Sequence, residues 1–313
     1  MHIGAGECFR LPVIQYLYNV YVIYSMYRLL FPILAAVLFA WGCTKPEVEP
    51  EKPFYPAEGA VNARYTIADG VTVVFAQGNL QYQASSRTWR FAANQYDVIG
   101  YPNELLDTSY TGWIDLFGWG TSGYNGLMPY TVTDSNGVYV AGERSITGSD
   151  YDWGRYNVIS NGGNNRGVWR TMTYDEWRHL LWFRDEARMK RGLATIQGAR
   201  ANGGAMCGLL LLPDKWDLPE GCAFQYGTAK GFETNVYTIE QWNRMDGAGA
   251  VFLPAAGYRD RYHVSLVGEY GCYWTSSYYD EYTASELYIQ AIGYDLSSSA
   301  RSNGHSVRLV QER

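Results

Sequence analysis

Cysteine and histidine are scarce in this chain, which limits the chemistry that its side chains can perform. The 313 residues include five Cys and four His, and no two cysteines stand at C-x-x-C spacing. An excess of positive charge is lacking too, since the formal net charge is −6. This balance argues against a nucleic-acid backbone as partner.

Aromatic residues and glycine are abundant instead. Aromatics make up 16% of the chain, charged residues only 18%, and there are 34 Gly. Aromatic side chains favour strands, and Gly allows tight turns. The composition therefore indicates a globule rich in strands and loops, and the length allows one or two domains with a sizeable core.

The N-terminal region has the pattern of an export signal. After Met26 a basic residue precedes an apolar run over residues 31–39, and a small residue then precedes Cys43. This is the order of a secretory signal, and it resembles a bacterial lipoprotein signal with Cys43 as the lipidated residue. We predict an export segment over residues 1–43, with Met26 as an alternative start. A membrane helix over residues 11–41 is the competing interpretation.

Prolines and charged residues alternate directly after this segment, over residues 44–53. Such a composition cannot bury a core and gives a stiff, solvated tether. We predict a tether over residues 44–58 and a single domain over residues 59–313. The protein is then expected at the outer membrane and the cell surface, with the lipid anchor as its membrane contact.

Three cysteines fall in the predicted domain: Cys207, Cys222 and Cys272. A disulfide between the first two would suit an exported protein, but their spacing does not establish it. Three buried free thiols are the alternative.

Two hairpins are predicted near the start of the domain. Residues 71–75 are β-branched and apolar, and they follow an Asp-Gly turn signal at residues 69–70. Residues 80–84 and 88–91 flank a polar Ser-Ser pair in the same manner. Residues 121–149 are polar and rich in Gly, which predicts an irregular loop.

Two helices are predicted from capping boxes. Thr173 precedes Glu176 by three residues, and Thr238 precedes a Gln by the same spacing. We expect the first helix to end at Gly192 and the second at residues 246–247.

Short apolar runs predict further strands. Residues 209–212 and 250–253 have the pattern of buried strands, and strands are also expected at residues 273–277, 284–291 and 306–310. No internal repeat is visible in the sequence. The order predicts an α+β fold with two helices, short antiparallel strands and long loops.

Seven stretches of the domain form a recognisable set. They are NLQY at 79–82, WRF at 89–91, WRTMTYDEW at 169–177, LLPD at 211–214, FLPAAGYR at 252–259, YWTSS at 273–277 and GHSVRL at 304–309. Together they resemble the C-type lectin fold of formylglycine-generating-enzyme-like proteins and of the variable proteins of diversity-generating retroelements. The resemblance spans residues 61–310, and many surface lipoproteins of gut anaerobes look similar throughout.

The sequence departs from the motifs of the two known activities of this fold, copper-dependent oxidation and calcium-dependent sugar binding. Formylglycine-generating enzymes use a pair of cysteines that binds copper near the C-terminal motif, whereas Cys272 has no second cysteine after it, so a copper–thiolate site would lack a ligand. Calcium-dependent lectins resemble one another in a Glu-Pro-Asn or Gln-Pro-Asp loop. The nearest match, YPNE at 101–104, has Tyr in place of the first ligand.

A nucleophilic triad is not predicted either. It would need Cys or Ser beside His, with an acid to orient the ring. His179 reads as a surface residue of the first helix, while His263 and His305 read as contact residues. We therefore expect no enzymatic activity and no metal or other cofactor.

Tyr and Ser dominate residues 257–310. Each occurs nine times there, while Lys, Met, Phe and Pro are absent. Antibody loops favour Tyr, Ser, Gly and Asn because Tyr offers rigid contact area and the small polar residues adapt. We predict that this stretch binds an external protein or glycan. The predicted contact residues are Asp260, Arg261, Tyr262, His263, Ser265, Tyr270, Tyr278, Tyr279, Asp280, Tyr282, Ser285, Tyr288, Tyr294, Asp295, Ser297, Ser298, Ser299, Ser302, Asn303 and His305.

Other residues of this stretch are expected to support the contact residues. Trp274, Arg301 and Arg308 are predicted as a rigid frame, although Arg259 and Arg301 would suit an acidic ligand as an alternative. Strand alternation predicts that residues 287 and 289 face the core while residues 288 and 290 face outward.

The residue types that codon mutagenesis can produce distinguish a binding protein diversified by a retroelement from an undiversified one. Retroelement mutagenesis of adenines in Asn codons yields Tyr, Ser, Asp, His, Gly, Arg and Cys but neither Glu nor Gln. The predicted contact residues fit, whereas Glu269, Glu281, Glu286 and Gln290 would be template-encoded. A diversified binding lipoprotein, an undiversified adhesin and a pilus or surface-layer subunit stay as alternatives, and an oxidase of the formylglycine-generating type is a remote one.

Overall fold

A computed structural model describes residues 57–131 and 144–313, which form several small, mostly antiparallel sheets and three short α-helices. These features confirm the predicted α+β class. The predicted export segment over residues 1–43, with Cys43, lies outside the described residues. So do residues 44–56 of the predicted tether and residues 132–143 of the predicted loop.

Strands and helices are numbered in chain order. The strands are Tyr65–Ala68 (β1), Val71–Phe75 (β2), Leu80–Gln83 (β3), Thr88–Phe91 (β4), Trp113–Ile114 (β5), Arg170–Thr171 (β6), Arg191–Ile196 (β7), Met206–Leu211 (β8), Asn235–Tyr237 (β9), Val251–Pro254 (β10), Tyr258–Asp260 (β11), His263–Ser265 (β12), Tyr270–Tyr278 (β13), Thr283–Gln290 (β14), Gly293–Ala300 (β15) and Leu309–Glu312 (β16). The α-helices are Trp153–Tyr156 (α1), Tyr174–Arg178 (α2) and Ile239–Gly247 (α3), and α2 continues as a π-helical turn over His179–Phe183.

The first sheet joins the start and the end of the described chain, in the order β1-β2-β16-β6. β1 and β2 form the predicted hairpin, with Gly70 at φ +72° in its turn. Val310 of β16 pairs with Phe75 on one side and with Arg170 on the other. The sheet therefore holds the two halves of the domain together.

The second predicted hairpin is also confirmed, because β3 pairs with β4 and also with β5. Tyr82 and Trp89 face each other across this hairpin with ring centroids 4.5 Å apart. Trp89 also packs on Phe117 at 5.4 Å. These rings belong to a buried cluster that also includes Trp274, so the hairpin supports the C-terminal strands.

Both predicted capping boxes are present. The Thr173 Oγ1 accepts a hydrogen bond from the Glu176 N–H at 3.1 Å, and the Glu176 carboxylate accepts one from the Thr173 N–H at 2.8 Å. The Gln241 N–H donates to the Thr238 Oγ1 at 3.2 Å, and α3 ends at Gly247 as predicted.

The prediction that the first helix ends at Gly192 is wrong. The chain leaves helical geometry at Arg184, which has ψ 161°, and Gly192 lies within β7. A Cβ at Gly192 would meet the Gln225 carbonyl oxygen at 2.7 Å. The glycine therefore allows two backbone segments to approach closely, a role that Gly often has in strands.

The second sheet has the order β10-β8-β7-β9, with β9 parallel to β7. Its strands β8 and β10 confirm the predicted strands near residues 209–212 and 250–253. Cys207 and Cys222 are half-buried free thiols, and Cys272 is a buried free thiol. The structure thus has no disulfide between Cys207 and Cys222, and only one of the three thiols is buried.

The third sheet has the order β13-β14-β15 and includes a strand that the sequence did not predict. β14 pairs with β15 from Thr283↔Ala300 to Gln290↔Gly293. The short hairpin of β11 and β12 was not predicted either. The last strand starts later than expected, at Leu309.

Asp152 joins α1 to the first sheet. Its carboxylate accepts a hydrogen bond from the Gly154 N–H at 3.3 Å, which caps α1. It also accepts from the Thr171 N–H and the Thr171 hydroxyl, each at 2.9 Å. Burial raises the pKa of Asp152 to about 6, while the hydrogen bonds from Thr171 and Gly154 oppose that rise.

This raised pKa predicts a pH dependence of stability. The folded chain holds a proton on Asp152 between about pH 4 and 6, where the unfolded chain has lost it, so stability from this residue falls as pH rises through that window. We compare the free energy of unfolding of the wild type with that of the Asp152→Asn variant. The wild-type value minus the variant value is expected to be about 2 kcal/mol larger at pH 4.5 than at pH 7. Urea unfolding at both pH values measures it, and a pH-independent difference would contradict it.

Candidate functional site

The third sheet carries most of the predicted contact residues, and its register decides which of them share a face. Tyr273 pairs with Leu287, which pairs with Leu296, and this row faces the main core. The next row, Trp274, Glu286 and Ser297, lies on the opposite face because successive side chains alternate. We call this opposite face the far face, and its members are Tyr270, Cys272, Trp274, Glu286, Tyr288, Gln290, Asp295, Ser297 and Ser299.

The predicted alternation along β14 is confirmed at its C-terminal end. Leu287 and Ile289 are fully buried, while Tyr288 and Gln290 are half-buried. It does not extend to Glu286, which is buried on the far face at 6% exposure. A local group must therefore cover that carboxylate.

Tyrosine rings cover one end of the far face. Tyr270 and Tyr288 stack with centroids 6.1 Å apart and an interplanar angle of 3°. Tyr258 from β11 meets Tyr270 edge-on at 6.0 Å. Burial is the main cause that raises the pKa of Tyr270, and electrostatic interactions with Cys272 and Glu286 add to it, so its hydroxyl is neutral at physiological pH.

Below these rings, the far face holds a cluster of three buried ionisable groups. A sulfur of Cys272, a carboxylate oxygen of Glu286 and a ring nitrogen of His305 all lie within 4.8 Å of one another. The His305 Nδ1 is 3.0 Å from the Glu286 Oε2. The His305 ring stacks on Trp274 with centroids 4.1 Å apart. We call Cys272, Glu286 and His305 the Cys–Glu–His cluster.

Three separate segments build this cluster. Cys272 and Glu286 come from the paired strands β13 and β14, where they are diagonal neighbours on the far face. His305 comes from the segment before β16, and its backbone exchanges two hydrogen bonds with Phe117, at 2.9 and 3.0 Å. The ring nitrogen Nε2 lies 3.4 Å from the Ser299 hydroxyl.

The charge states of the cluster follow from its burial. Burial raises the pKa of the Cys272 thiol, and the charge of Glu286 and a hydrogen bond to it add to the rise. Burial acts to raise the pKa of Glu286 as well, but the charge of His305 and the contacts with His305 and Cys272 outweigh it, so the net shift is downward. The thiol therefore stays protonated at neutral pH, unlike an activated cysteine nucleophile.

A groove lies at the other end of the sheet, where β13 ends beside α2. It has a volume of about 590 Å³. The Tyr174 N–H donates to the Ser277 hydroxyl at 2.9 Å, which joins the start of α2 to β13. We call this the hydroxyl groove, and it is lined by Ser145, Tyr174, Asp175, Ser277, Tyr278, Tyr279, Ser285, Leu296, Ser297 and Ser298.

Half of the groove was predicted. Tyr278, Tyr279, Ser285, Ser297 and Ser298 were predicted contact residues and line it together. The other five lining residues were missed. Three of them lie outside the Tyr/Ser-rich stretch. The packing of α2 against β13 brings Tyr174 and Asp175 into the groove, and Ser145 reaches it by accepting a hydrogen bond from the Tyr278 N–H at 3.0 Å.

Two exposed tyrosines stand beside the groove, at the tip of the β13–β14 hairpin. Tyr279 is 61% exposed and Tyr282 is 58% exposed. Between them, the Asp280 carboxylate accepts hydrogen bonds from the N–H groups of Tyr282 at 2.9 Å and Thr283 at 2.8 Å. Interaction with the Thr283 side chain, followed by the hydrogen bond from the Tyr282 N–H, lowers the pKa of Asp280. The two N–H bonds fix the turn. We call residues 279–282 the hairpin tip.

A buried arginine supports the hairpin tip from below. The Arg301 guanidinium donates to the carbonyl oxygens of Asp280 and Thr283, the latter at 3.2 Å. It also stacks over the rings of Trp119 at 4.8 Å and Tyr278 at 4.9 Å. Arg301 is 3% exposed, so it serves the frame, and the alternative of an acidic ligand on Arg301 is wrong.

Arg259 is in the same situation. It is fully buried and donates to the carbonyl oxygens of Leu116, at 3.2 Å, and Arg261. Burial lowers the pKa of Arg259 to about 10, so the guanidinium keeps its charge at neutral pH. The suggested role of Arg259 in binding an acidic ligand is therefore wrong as well.

The β11–β12 hairpin presents a second exposed group of predicted residues. Asp260, Arg261, Tyr262 and His263 are exposed there, and Tyr262 is 59% exposed. The Glu104 carboxylate anchors the hairpin by accepting a hydrogen bond from the Val264 N–H at 2.7 Å. The predicted contact residues thus fall on the β11–β12 hairpin, on the third sheet and its hairpin tip, and on the segment before β16.

Burial divides the predicted contact residues into three groups. Ser285, Ser302 and His305 are buried: Ser285 lines the groove and His305 belongs to the Cys–Glu–His cluster. The exposed ones are Asp260, Arg261, Tyr262, His263, Tyr279, Asp280, Tyr282, Asp295 and Ser297. The half-buried ones are Ser265, Tyr270, Tyr278, Tyr288, Tyr294, Ser298, Ser299 and Asn303.

Within residues 57–131 and 144–313, no helix has the length and apolarity needed to cross a membrane. Comparison of the chain with protein-family models, with curated proteins and with solved structures finds no match.

Proposed function

We propose that this chain is an exported, lipid-anchored protein with a C-type-lectin-like domain that binds an external protein or glycan. The binding region is the hydroxyl groove together with the hairpin tip. The observation that carries the proposal is the pair of exposed tyrosines, Tyr279 and Tyr282, held on a rigid turn beside a groove of about 590 Å³.

The chemistry of the groove suits this role. Exposed aromatic rings supply large contact area, and they pack on the apolar faces of sugars or on protein side chains. The serine hydroxyls around them both donate and accept hydrogen bonds. Because Asp280 and Arg301 hold the turn, little conformational freedom is lost when a ligand binds.

The proposed lectin-like fold is supported by contacts among the stretches that carry the resemblance. Arg308 donates to the Asn79 side chain at 3.0 Å and to the Phe252 carbonyl oxygen at 2.9 Å. The Tyr273 hydroxyl donates to the Pro254 carbonyl oxygen at 2.8 Å and accepts from the Asn79 amide at 3.2 Å. Four of the seven stretches therefore interlock through buried hydrogen bonds.

Substitution of the hairpin tip tests the proposal. The full chain, purified in detergent, is screened on arrays of glycans and extracellular proteins, and the affinity for each ligand found is measured by biolayer interferometry. Tyr279→Ala and Tyr282→Ala are each expected to weaken binding about tenfold or more, because interface tyrosines commonly contribute that much. Tyr101→Ala is the matched control, since Tyr101 is 66% exposed but lines a different cavity.

Two outcomes contradict the proposal. One is unchanged affinity in the Tyr279→Ala, Tyr282→Ala double variant. The other is an equal loss in the Tyr101→Ala control, which would place binding elsewhere. A ligand that proves to be a neighbouring subunit of a pilus or surface layer would favour the structural alternative.

We propose the diversified form of this function ahead of the undiversified one. Tyr279, Asp280 and Tyr282 are exposed and belong to the types that adenine mutagenesis of Asn codons produces. Glu286, a type that it does not produce, is buried, while Glu269 and Glu281 are of the same type and exposed, so the diversified form requires both to be template-encoded. Flanking DNA decides between the two forms: a near-copy of the 3′ coding end that differs at adenines, beside a reverse transcriptase gene, marks diversification.

A further inference from the structure

The Cys–Glu–His cluster has unsatisfied polar atoms. The His305 Nδ1 and the Glu286 Oε2 are buried and 3.0 Å apart, yet neither has an aligned hydrogen-bond partner among the described residues. Buried polar atoms without partners are rare in folded proteins because their desolvation is not compensated. The contact is an ion pair when the ring carries both protons, whereas a ring that is neutral and protonated at Nε2 leaves both lone pairs free to bind a common third atom.

The spacing of the cluster fits a small metal ion. Two ligand atoms bound tetrahedrally to Zn²⁺ at their usual bond lengths lie about 3.3 Å apart, close to the 3.0 Å between the His305 Nδ1 and the Glu286 Oε2. The Cys272 sulfur lies within 4.8 Å of both atoms. A modest movement of the thiol would complete three-point coordination.

The surroundings of His305 orient the ring for this purpose. Its Nε2 lies 3.4 Å from the Ser299 hydroxyl, which also accepts a hydrogen bond from the Asn303 amide at 3.0 Å. With a proton on Nε2, the lone pair of Nδ1 is directed into the cluster. Stacking on Trp274 prevents the ring from rotating away. Metal-binding histidines commonly have such a hydrogen bond on the second ring nitrogen.

We propose that Cys272, Glu286 and His305 bind a zinc-type divalent transition-metal ion, with water as the fourth ligand. Thiolate, imidazole and carboxylate together match Zn²⁺ and do not match Ca²⁺ or Mg²⁺, which prefer oxygen ligands. The ion links β13 and β14 to the segment before β16. It thereby fastens the far face beneath the stacked tyrosines, and this role does not depend on the ligand-binding proposal.

Cobalt titration tests the site directly. The full chain is stripped with a chelator, and Co²⁺ is added while the absorption spectrum is recorded. We expect one ion per chain, a thiolate-to-cobalt charge-transfer band and tetrahedral d–d bands, all removed by Zn²⁺. Zn²⁺ is also expected to raise the melting temperature of the stripped protein by several degrees, since it binds the folded state.

Variants assign the ligands. Cys272→Ser is expected to abolish the charge-transfer band, and His305→Asn to weaken Co²⁺ binding at least tenfold. Cys207→Ser, which changes a free thiol elsewhere, is expected to retain both. Where Cys272→Ser fails to fold, the wild-type spectrum decides. Cobalt bound without a thiolate band, a band that survives Cys272→Ser, or a melting temperature unaffected by Zn²⁺ overturns the proposal.

Discussion

Replacement of Arg308 with methionine is expected to lower the free energy of unfolding by about 4 kcal/mol or more, enough to unfold much of the protein. Arg308 is 1% exposed. Its Nη1 donates to the Ala76 carbonyl oxygen at 3.1 Å and to the Gln95 side chain at 3.2 Å, in addition to its bonds with Asn79 and Phe252.

The size of this effect follows from what the substitution leaves behind. Methionine keeps most of the apolar stem but leaves several buried acceptors without a donor, and each costs about 1–3 kcal/mol. Burial lowers the pKa of Arg308 to about 10, so the wild-type side chain is charged at neutral pH and its hydrogen bonds are charge-assisted.

Urea unfolding followed by tryptophan fluorescence measures the loss. Arg178→Met is the matched control, because Arg178 is exposed on α2, and its effect is expected within about 0.5 kcal/mol of zero. If the urea midpoint of unfolding of Arg308→Met were close to that of the wild type, Arg308 would not be what holds its hydrogen-bonded partner segments together.

Gly257→Ala is expected to cost about 3 kcal/mol or more in the same assay. Gly257 has φ +76°, and an added Cβ would lie 2.3 Å from the Ser265 carbonyl oxygen and 3.0 Å from the Val267 side chain. The left-handed backbone accounts for about 1 kcal/mol and the clash for about 1–3 kcal/mol more.

Gly70→Ala separates these two contributions. Gly70 has a similar φ of +72°, but nothing lies within 4 Å of an added Cβ. Its substitution is therefore expected to cost only about 1 kcal/mol. Equal losses at the two positions would mean that the β11–β12 hairpin moves aside freely, and the clash argument would fail.

The elements that local chemistry specifies were predictable from the sequence. Thr173 with Glu176 and Thr238 begin helices because their side chains satisfy the first free N–H groups. The turn at Gly70 was predictable because few other residues adopt its backbone conformation.

Elements that depend on distant contacts were missed. β15 has the sequence GYDLSSSA, in which Gly, Asp and Ala have low strand propensity, and it forms because β14 offers a full-length partner. Gly192 was interpreted as a helix end because the sequence alone does not distinguish a Gly that ends a helix from a Gly that allows another backbone segment to approach closely.

The candidate sites show the same division. Three residues of the hairpin tip, Tyr279, Asp280 and Tyr282, were among the predicted contact residues because the Tyr/Ser-rich composition marks them. The Cys–Glu–His cluster was not, since His305 reaches it only through the pairing of its backbone with Phe117. The alternation of side chains along strands places Cys272 and Glu286 on one face of the sheet, but this follows only when the register of β13 and β14 is known.

The position of β16 has a consequence for biosynthesis. This strand lies inside the first sheet, between β2 and β6, although it is the last of the described strands to be made. The nascent chain cannot close that sheet on the ribosome until the codons of Leu309–Glu312 have been read, and until then β2 is unpaired on that side. The export that we propose for this chain would therefore meet no closed sheet there if it takes place before β16 is added.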